Sequence, residues 1–299
     1  MKSIAAPSLG KVIIGVVLLV ASPSARYPAI AQMVPAHAAS QSSAWSLRSA
    51  GIGDEAGGRL TDAMRAMQRA LVLDRRTGDR NGAGLDLGNI GYIDDLLGDV
   101  TAAMQSYSQA FQVFGQAGDR RGEALTAIAE GSVERRAGRY ADAFAYYEQA
   151  LMAAPRDHRI EASAFYWIGL AELLEGDFNG ALRPLRRALA LEQHLGSPGR
   201  EARVLLMIGI TEMRLQRNSD AVRACERAAE LYEQSGNQGG VSHARKIIAF
   251  ARLGLVSKYM KHFSPIMGFV GFIAVGVGAL VLLVPLLFIM YLQREKTHP

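Results

Sequence analysis

Six histidines and one cysteine are the side chains of this sequence best suited to metal binding or nucleophilic chemistry, and their spacing favours neither. The histidines stand at 37, 158, 194, 243, 262 and 298, and no two form the H-x3-H pair that would place imidazoles on one helical face. Cys225 lies in RACERAA with no histidine beside it, so a thiolate there would lack a base; helical spacing reads it as a small core residue. A single cysteine also excludes an intrachain disulfide. No phosphate-cradling loop is present: GVGALVLL (276–283) lies inside an apolar run, and Gly51, Gly53, Gly57 and Gly58 precede no strand. These patterns predict a noncatalytic protein with no metal, no cofactor and no small-molecule substrate.

The formal net charge of +5 is modest for the length of 299 residues, and basic and acidic residues alternate in runs such as ERRAGRYAD. Nucleic-acid binding calls for a dense basic stripe with interleaved aromatics, which is not found. The alternation instead describes solvated helix faces.

The elements that would carry any binding residues come from a repeated phrase. GDVTAAMQSYSQAF (98–111), GRYADAFAYYEQAL (138–151) and GDFNGALRPLRRAL (176–189) are versions of one another. Glycines at 51, 91, 131, 169 and 209 are spaced 40, 40, 38 and 40 residues apart, and Ala249 follows 40 further on. One alanine column runs 63, 103, 143, 181 and 221, and another 70, 110, 150, 188 and 228, with the same short step. A fixed period in the range of about 20 to 50 residues is the mark of stacked supersecondary units. Apolar residues at i, i+3 and i+4 predict two helices per unit, and small residues such as Gly169 and Ala181 fit where antiparallel helices cross. The segments TGDRNG (77–82), AGDRRG (117–122), GSPGR (196–200) and SGNQGG (235–240) read as turn-rich loops closing the units.

These units resemble tetratricopeptide repeats, which carry a small residue in the first helix and A-x3-[YFM]-x2-A in the second. The instances are Ala63-Met67-Ala70, Ala103-Tyr107-Ala110, Ala143-Tyr147-Ala150, Ala181-Leu185-Ala188 and Ala221-Cys225-Ala228. Pro155 stands where the family often ends its second helix. The family's period is nearer 34 residues, so the sequence looks like a bacterial variant of about 40 residues with longer G-D-x-x-G loops. Pro184, inside a second helix, predicts a kink. The resemblance covers about residues 42 to 254, and VSHARKIIAFARLGL supplies one further first-type helix as a cap. It implies an all-α solenoid of about five helix–turn–helix units with a concave groove that holds another chain.

Family geometry also assigns residues to the groove wall. They include Tyr92, Arg135, Arg136, Tyr166, Leu170, Arg203, Ile210, Arg214 and Lys246, an aromatic and aliphatic floor with a basic bias. Tyr166 and Arg203 are expected to face away from the helix-pair core. Chaperone-binding members of the family hold a terminal carboxylate with a Lys and Asn pair. The matching places here are Arg48 and Ile52, Gly88 and Tyr92, and Ile128 and Ser132, so that clamp is missing. The expected partner is a peptide or protein.

Both ends carry apolar segments. Lys2 and Lys11, the run VIIGVVLLVA (12–21) and the small residues after it have the order of a signal peptide over 1–31, cleaved near Ala31 or Ala38 or retained as an anchor. A flexible linker would follow over 32–41. The stretch 265–292 has no charged residue and exceeds the roughly 20 residues that span a bilayer, which predicts one C-terminal transmembrane helix. A connector (255–264) would precede it and a short basic tail (293–299) would follow. The sequence-based expectation is therefore a scaffold anchored in a bacterial inner membrane, with the array periplasmic and the C-terminus cytoplasmic. Its rival is a regulatory or sensory subunit acting through the membrane helix.

Overall fold

The computed structural model describes residues 59–262, with side chains described as far as residue 254. Ten helices occupy this stretch: α1 (Leu60–Thr77), α2 (Arg80–Leu97), α3 (Val100–Ala117), α4 (Arg120–Arg136), α5 (Tyr140–Ala153), α6 (His158–Glu175), α7 (Phe178–His194), α8 (Pro198–Arg214), α9 (Asn218–Gln234) and α10 (Gln238–His262). Helices α2, α4, α6 and α8 are first helices of their units, paired with α3, α5, α7 and α9, and α10 is one more first-type helix. The first helix expected around Gly51 lies outside the described residues, leaving α1 as the second helix of that unit.

Helix starts recur every 20 residues, from 60 to 140 and again from 158 to 238. The one exception, 18 residues from Tyr140 to His158, produces the short step in the glycine and alanine columns. There α5 stops after 14 residues, ahead of Pro155. The extra length over the family period lies in the helices, most of which have 17 or 18 residues, and not in the loops.

Two adjacent residues explain how the chain reverses so tightly. Gly78, Gly98, Gly118 and Gly176 adopt positive φ (72–102°), ending a helix in the left-handed conformation that a Cβ disfavours. The next residue, Asp79, Asp99, Asp119 or Asp177, caps the following helix by accepting an N–H bond on its carboxylate (2.8–3.0 Å). The final glycine of G-D-x-x-G is therefore helical. Gly122 donates its N–H to Asp119, and a side chain on it would collide with the Phe114 ring.

The columns read from the sequence meet in space. A methyl group on Gly91 would stand 2.8 Å from the Tyr107 ring and 3.1 Å from the Ala103 carbonyl oxygen. On Gly131 it would meet Tyr147 (2.6 Å) and the Ala143 oxygen (3.1 Å), and on Gly169 it would meet Leu185 (2.6 Å) and the Ala181 oxygen (3.1 Å). Gly209 repeats the arrangement with Cys225 and Ala221. Each first helix thus lies against its partner with no room for a larger residue. Helix α7 continues through Pro184, which is buried.

The chain divides into two compact units, residues 1–248 and 249–299, and the boundary falls within α10. Of the second unit, only residues 249–262 are described, as the continuing helix.

The membrane part of the expectation is corrected. Among the described residues no helix is long and apolar enough to cross a membrane. The physical reason is charge: even α10, the longest at 25 residues, carries Arg245, Lys246, Arg252, Lys258 and Lys261. The segments 1–31 and 265–292, on which the signal peptide and the transmembrane helix were placed, lie outside the described residues. The architecture is an all-α repeat array without a membrane helix among those residues. An integral membrane partner, inner-membrane placement with a periplasmic array, and signalling through a span are set aside with it.

Candidate functional site

The first helices of successive units approach one another, α2 to α4, α4 to α6 and α6 to α8, and together form one wall. Their side chains on this wall fall into a buried apolar layer and a set of arginines. Tyr92 packs with Ala103, Tyr107, Ala129 and Val133. Tyr166, Leu170 and Ile210 belong to the large cluster formed by α6 to α10. Ile210 is 1% exposed and Tyr166 5%, so Tyr166 faces into packed side chains and not away from them as expected.

The arginines lie on aromatic rings. The Arg135 guanidinium carbon is 5.2 Å from the centre of the Trp167 ring, and Arg203 stands 4.6 Å from that of Tyr166. The two rings meet edge to face, with centres 5.0 Å apart and planes at 74°. Arg135, Trp167, Tyr166 and Arg203 thus form a continuous row across three consecutive first helices. Such stacking contributes about 0.5–1 kcal/mol where exposed and more where water is excluded. In both arginines the buried Nε has no hydrogen-bond partner among the described residues.

The remaining wall residues lie outside this row. Arg214 covers Phe178 at the start of α7, 4.5 Å from the ring centre. Arg136 pairs with Asp95 on α2, which ties the second and third units together. Lys246 is exposed on α10, and nearby His243 has its pKa lowered by desolvation first and by Lys246 second. Neither Arg135, Arg203 nor Arg214 forms an ion pair with a described residue. Arg120 and Arg200, also on first helices, pair with Glu123 (2.9 Å) and Glu192 (2.8 Å).

Trp167 was missed by the family mapping, which chose its neighbour Tyr166. A second omission is a column of acids at the same place in each first helix: Asp94, Glu134, Glu172 and Glu212. Arg139 pairs with Glu134, while Arg217 and Arg186 pair with Glu212 (3.3 and 3.1 Å). In the other two units an aspartate cap stands where Arg139 or Arg217 would be. Burial, together with Asp99 or Asp177, raises the pKa of Asp94 and Glu172 there. The signal was legible as a fourth column in step with the glycines.

Among the described residues no group of three or more His, Cys, Asp or Glu could hold a metal ion. The buried Cys225 thiol is pushed up to about 12, chiefly by desolvation and then by Glu226, so it stays protonated at neutral pH. His158 and His194 meet edge to face at 5.6 Å, exposed at the ends of α6 and α7.

No family model and no curated protein matches the chain. Solved structures do. Aspartyl phosphate phosphatase F from Bacillus subtilis superposes with a TM-score of 0.64 at 12% identity, over 75% of this chain and 60% of that one. A Rap protein complexed with Competence and Sporulation Factor gives 0.57 at 14%, over 74% and 69%. A thermophilic TPR protein of Thermus thermophilus gives 0.50 at 20%, over 70% and 99%. At these identities the likeness is one of fold: the chain has an all-α, TPR-like helical repeat fold related to those of the Rap, phosphatase and TPR proteins.

Proposed function

We propose that the array is a noncatalytic protein-interaction module that binds an extended peptide or protein segment carrying acidic and hydrophobic residues. The binding surface is the wall of first helices, with Arg135, Arg136, Arg203, Arg214 and Lys246 as the charged contacts and Tyr92, Tyr166, Leu170 and Ile210 as the buried layer behind them. The observation that carries this reading is that Arg135, Arg203 and Arg214 each lie on a ring and form no ion pair with a described residue. Stacking holds their guanidinium groups in place, so a carboxylate can bind without first ordering a flexible side chain. The Rap protein of similar fold is itself complexed with Competence and Sporulation Factor, which agrees with a binding role for such an array.

The test is an array of extended peptides rich in Asp, Glu and Leu, probed with the full chain alongside versions in which Lys replaces each acid. Acidic peptides should bind, more weakly at higher salt, and Arg203→Glu or Arg214→Glu should reduce the signal. Equal binding of the acidic and basic sets, or unchanged binding by both variants, would remove this wall from consideration.

A further inference from the structure

Helix α4 buries a carboxyl group that no described cation pairs with. Glu130, in the middle of α4, is 5% exposed. No described residue forms a hydrogen bond or an ion pair with it. The matching residues in the other units are Ile90, Ile168 and Ile208, so the place is built for an apolar side chain. A buried carboxylate is stable only when paired or neutral, and here no cation is supplied.

The groups facing it add to the cost. On its own helix Glu134 stands one turn away, held by Arg139 from the loop before α5. Tyr107 of α3 and Tyr146 of α5 both feel the Glu130 charge, and each has its own pKa raised, mainly by burial. Asp142 of α5 acts on Tyr146, and Asp94 and Asp95 of α2 act on Tyr107. Asp95 in turn is paired with Arg136. From α6, Ile160, Ala164 and Trp167, none of them charged, pack with α4, and the Trp167 ring lies under Arg135.

We propose that Glu130 makes the seating of α4 against α3 and α5 proton-dependent: the helix packs with the carboxyl neutral and loosens when it ionises. Desolvation first, and Glu134 second, raise the Glu130 pKa from 4.5 to about 7. The folded state then holds its proton more tightly than the unfolded chain. The stabilisation is fully present below the unfolded value and is lost as pH rises through the folded one, between about 4.5 and 7. Across that window the folding constant falls by roughly two orders of magnitude. The inference concerns the packing of the array and stands apart from its role in binding.

The experiment is urea unfolding of the full chain at pH 5, 6, 7 and 8, for the wild type, Glu130→Gln and Glu130→Ile. The wild-type midpoint should fall between pH 5 and 7, and both variants should lack that component and exceed the wild type at pH 8. Parallel profiles for all three would overturn the proposal. If a variant does not fold, a carbon-13 titration of the wild-type glutamates decides. A carboxyl that titrates above about 6 and shifts down in Glu134→Gln supports the proposal; loss of that titration in Glu134→Gln, or all of the carboxyls near the ordinary value of about 4.3, would overturn it.

Discussion

Arg203 on α8 covers the ring of Tyr166 on α6, with 4.6 Å between the guanidinium carbon and the ring centre. The contact joins the fourth unit to the fifth, so the same pair serves the packing of the array and the proposed binding wall. Truncating Tyr166 removes a buried ring. Tyr166→Ala should destabilise the chain by about 3–5 kcal/mol, measured by denaturant unfolding. Arg203→Met, which keeps bulk and removes the cation, should cost about 1 kcal/mol. If Tyr166→Ala unfolds at the wild-type denaturant concentration, the ring is not part of the core.

Gly209 and Cys225 test the reason for the small columns. Gly209→Ala improves helix propensity by up to about 1 kcal/mol but places its methyl group against the Cys225 sulfur. The substitution should therefore destabilise by about 1–3 kcal/mol in the wild type. In a Cys225→Ala background, where the sulfur is gone, its cost should shrink or change sign. Additive effects would mean that the sulfur does not set the size limit.

Glu212, 3% exposed, is held by Arg186 from α7 and Arg217 from the loop before α9. Either arginine alone leaves the acid compensated, so Arg186→Met and Arg217→Met should each cost less than about 1 kcal/mol. The double variant strands a buried carboxylate and should cost about 3 kcal/mol or more. A double-mutant cycle with no coupling energy would count against the shared role.

The Cys225 thiol offers a probe of local opening. Being buried and pushed up to about 12, it should react with a thiol reagent at pH 8 only through unfolding. The rate should follow the unfolding equilibrium as urea is added. Rapid labelling of the native chain at the rate of a free cysteine would show that the α8–α9 pair is open.

Much of the fold was legible because helix crossings constrain residue size directly. The columns at Gly91, Gly131, Gly169 and Gly209 register the distance between two helix axes, and no tertiary knowledge is needed to see them. Loop length was misread for a local reason: Gly82, Gly122 and Gly240 look like turn residues, yet they sit in the first helical turn, donating N–H bonds to capping side chains. The wall was legible as a set of positions but not as a set of exposures. Which helix face Tyr166 occupies follows from the repeat, whereas its burial depends on how closely α8 approaches with Arg203. Glu130 escaped notice because its peculiarity appears only beside Ile90, Ile168 and Ile208.

The 20-residue rhythm carries a rule about length. A helix of 18 residues makes about five full turns at 3.6 residues each, so its buried stripe ends in the same direction in which it began. Helix α5, at 14 residues, makes close to four. Helix α5 has thus lost about a turn, while its unit as a whole is two residues shorter than the others. An insertion of one or two residues inside any helix would swing everything downstream of it by about 100° or 200° around the axis. A whole turn is the step by which a helix changes length and still ends its buried stripe in the same direction.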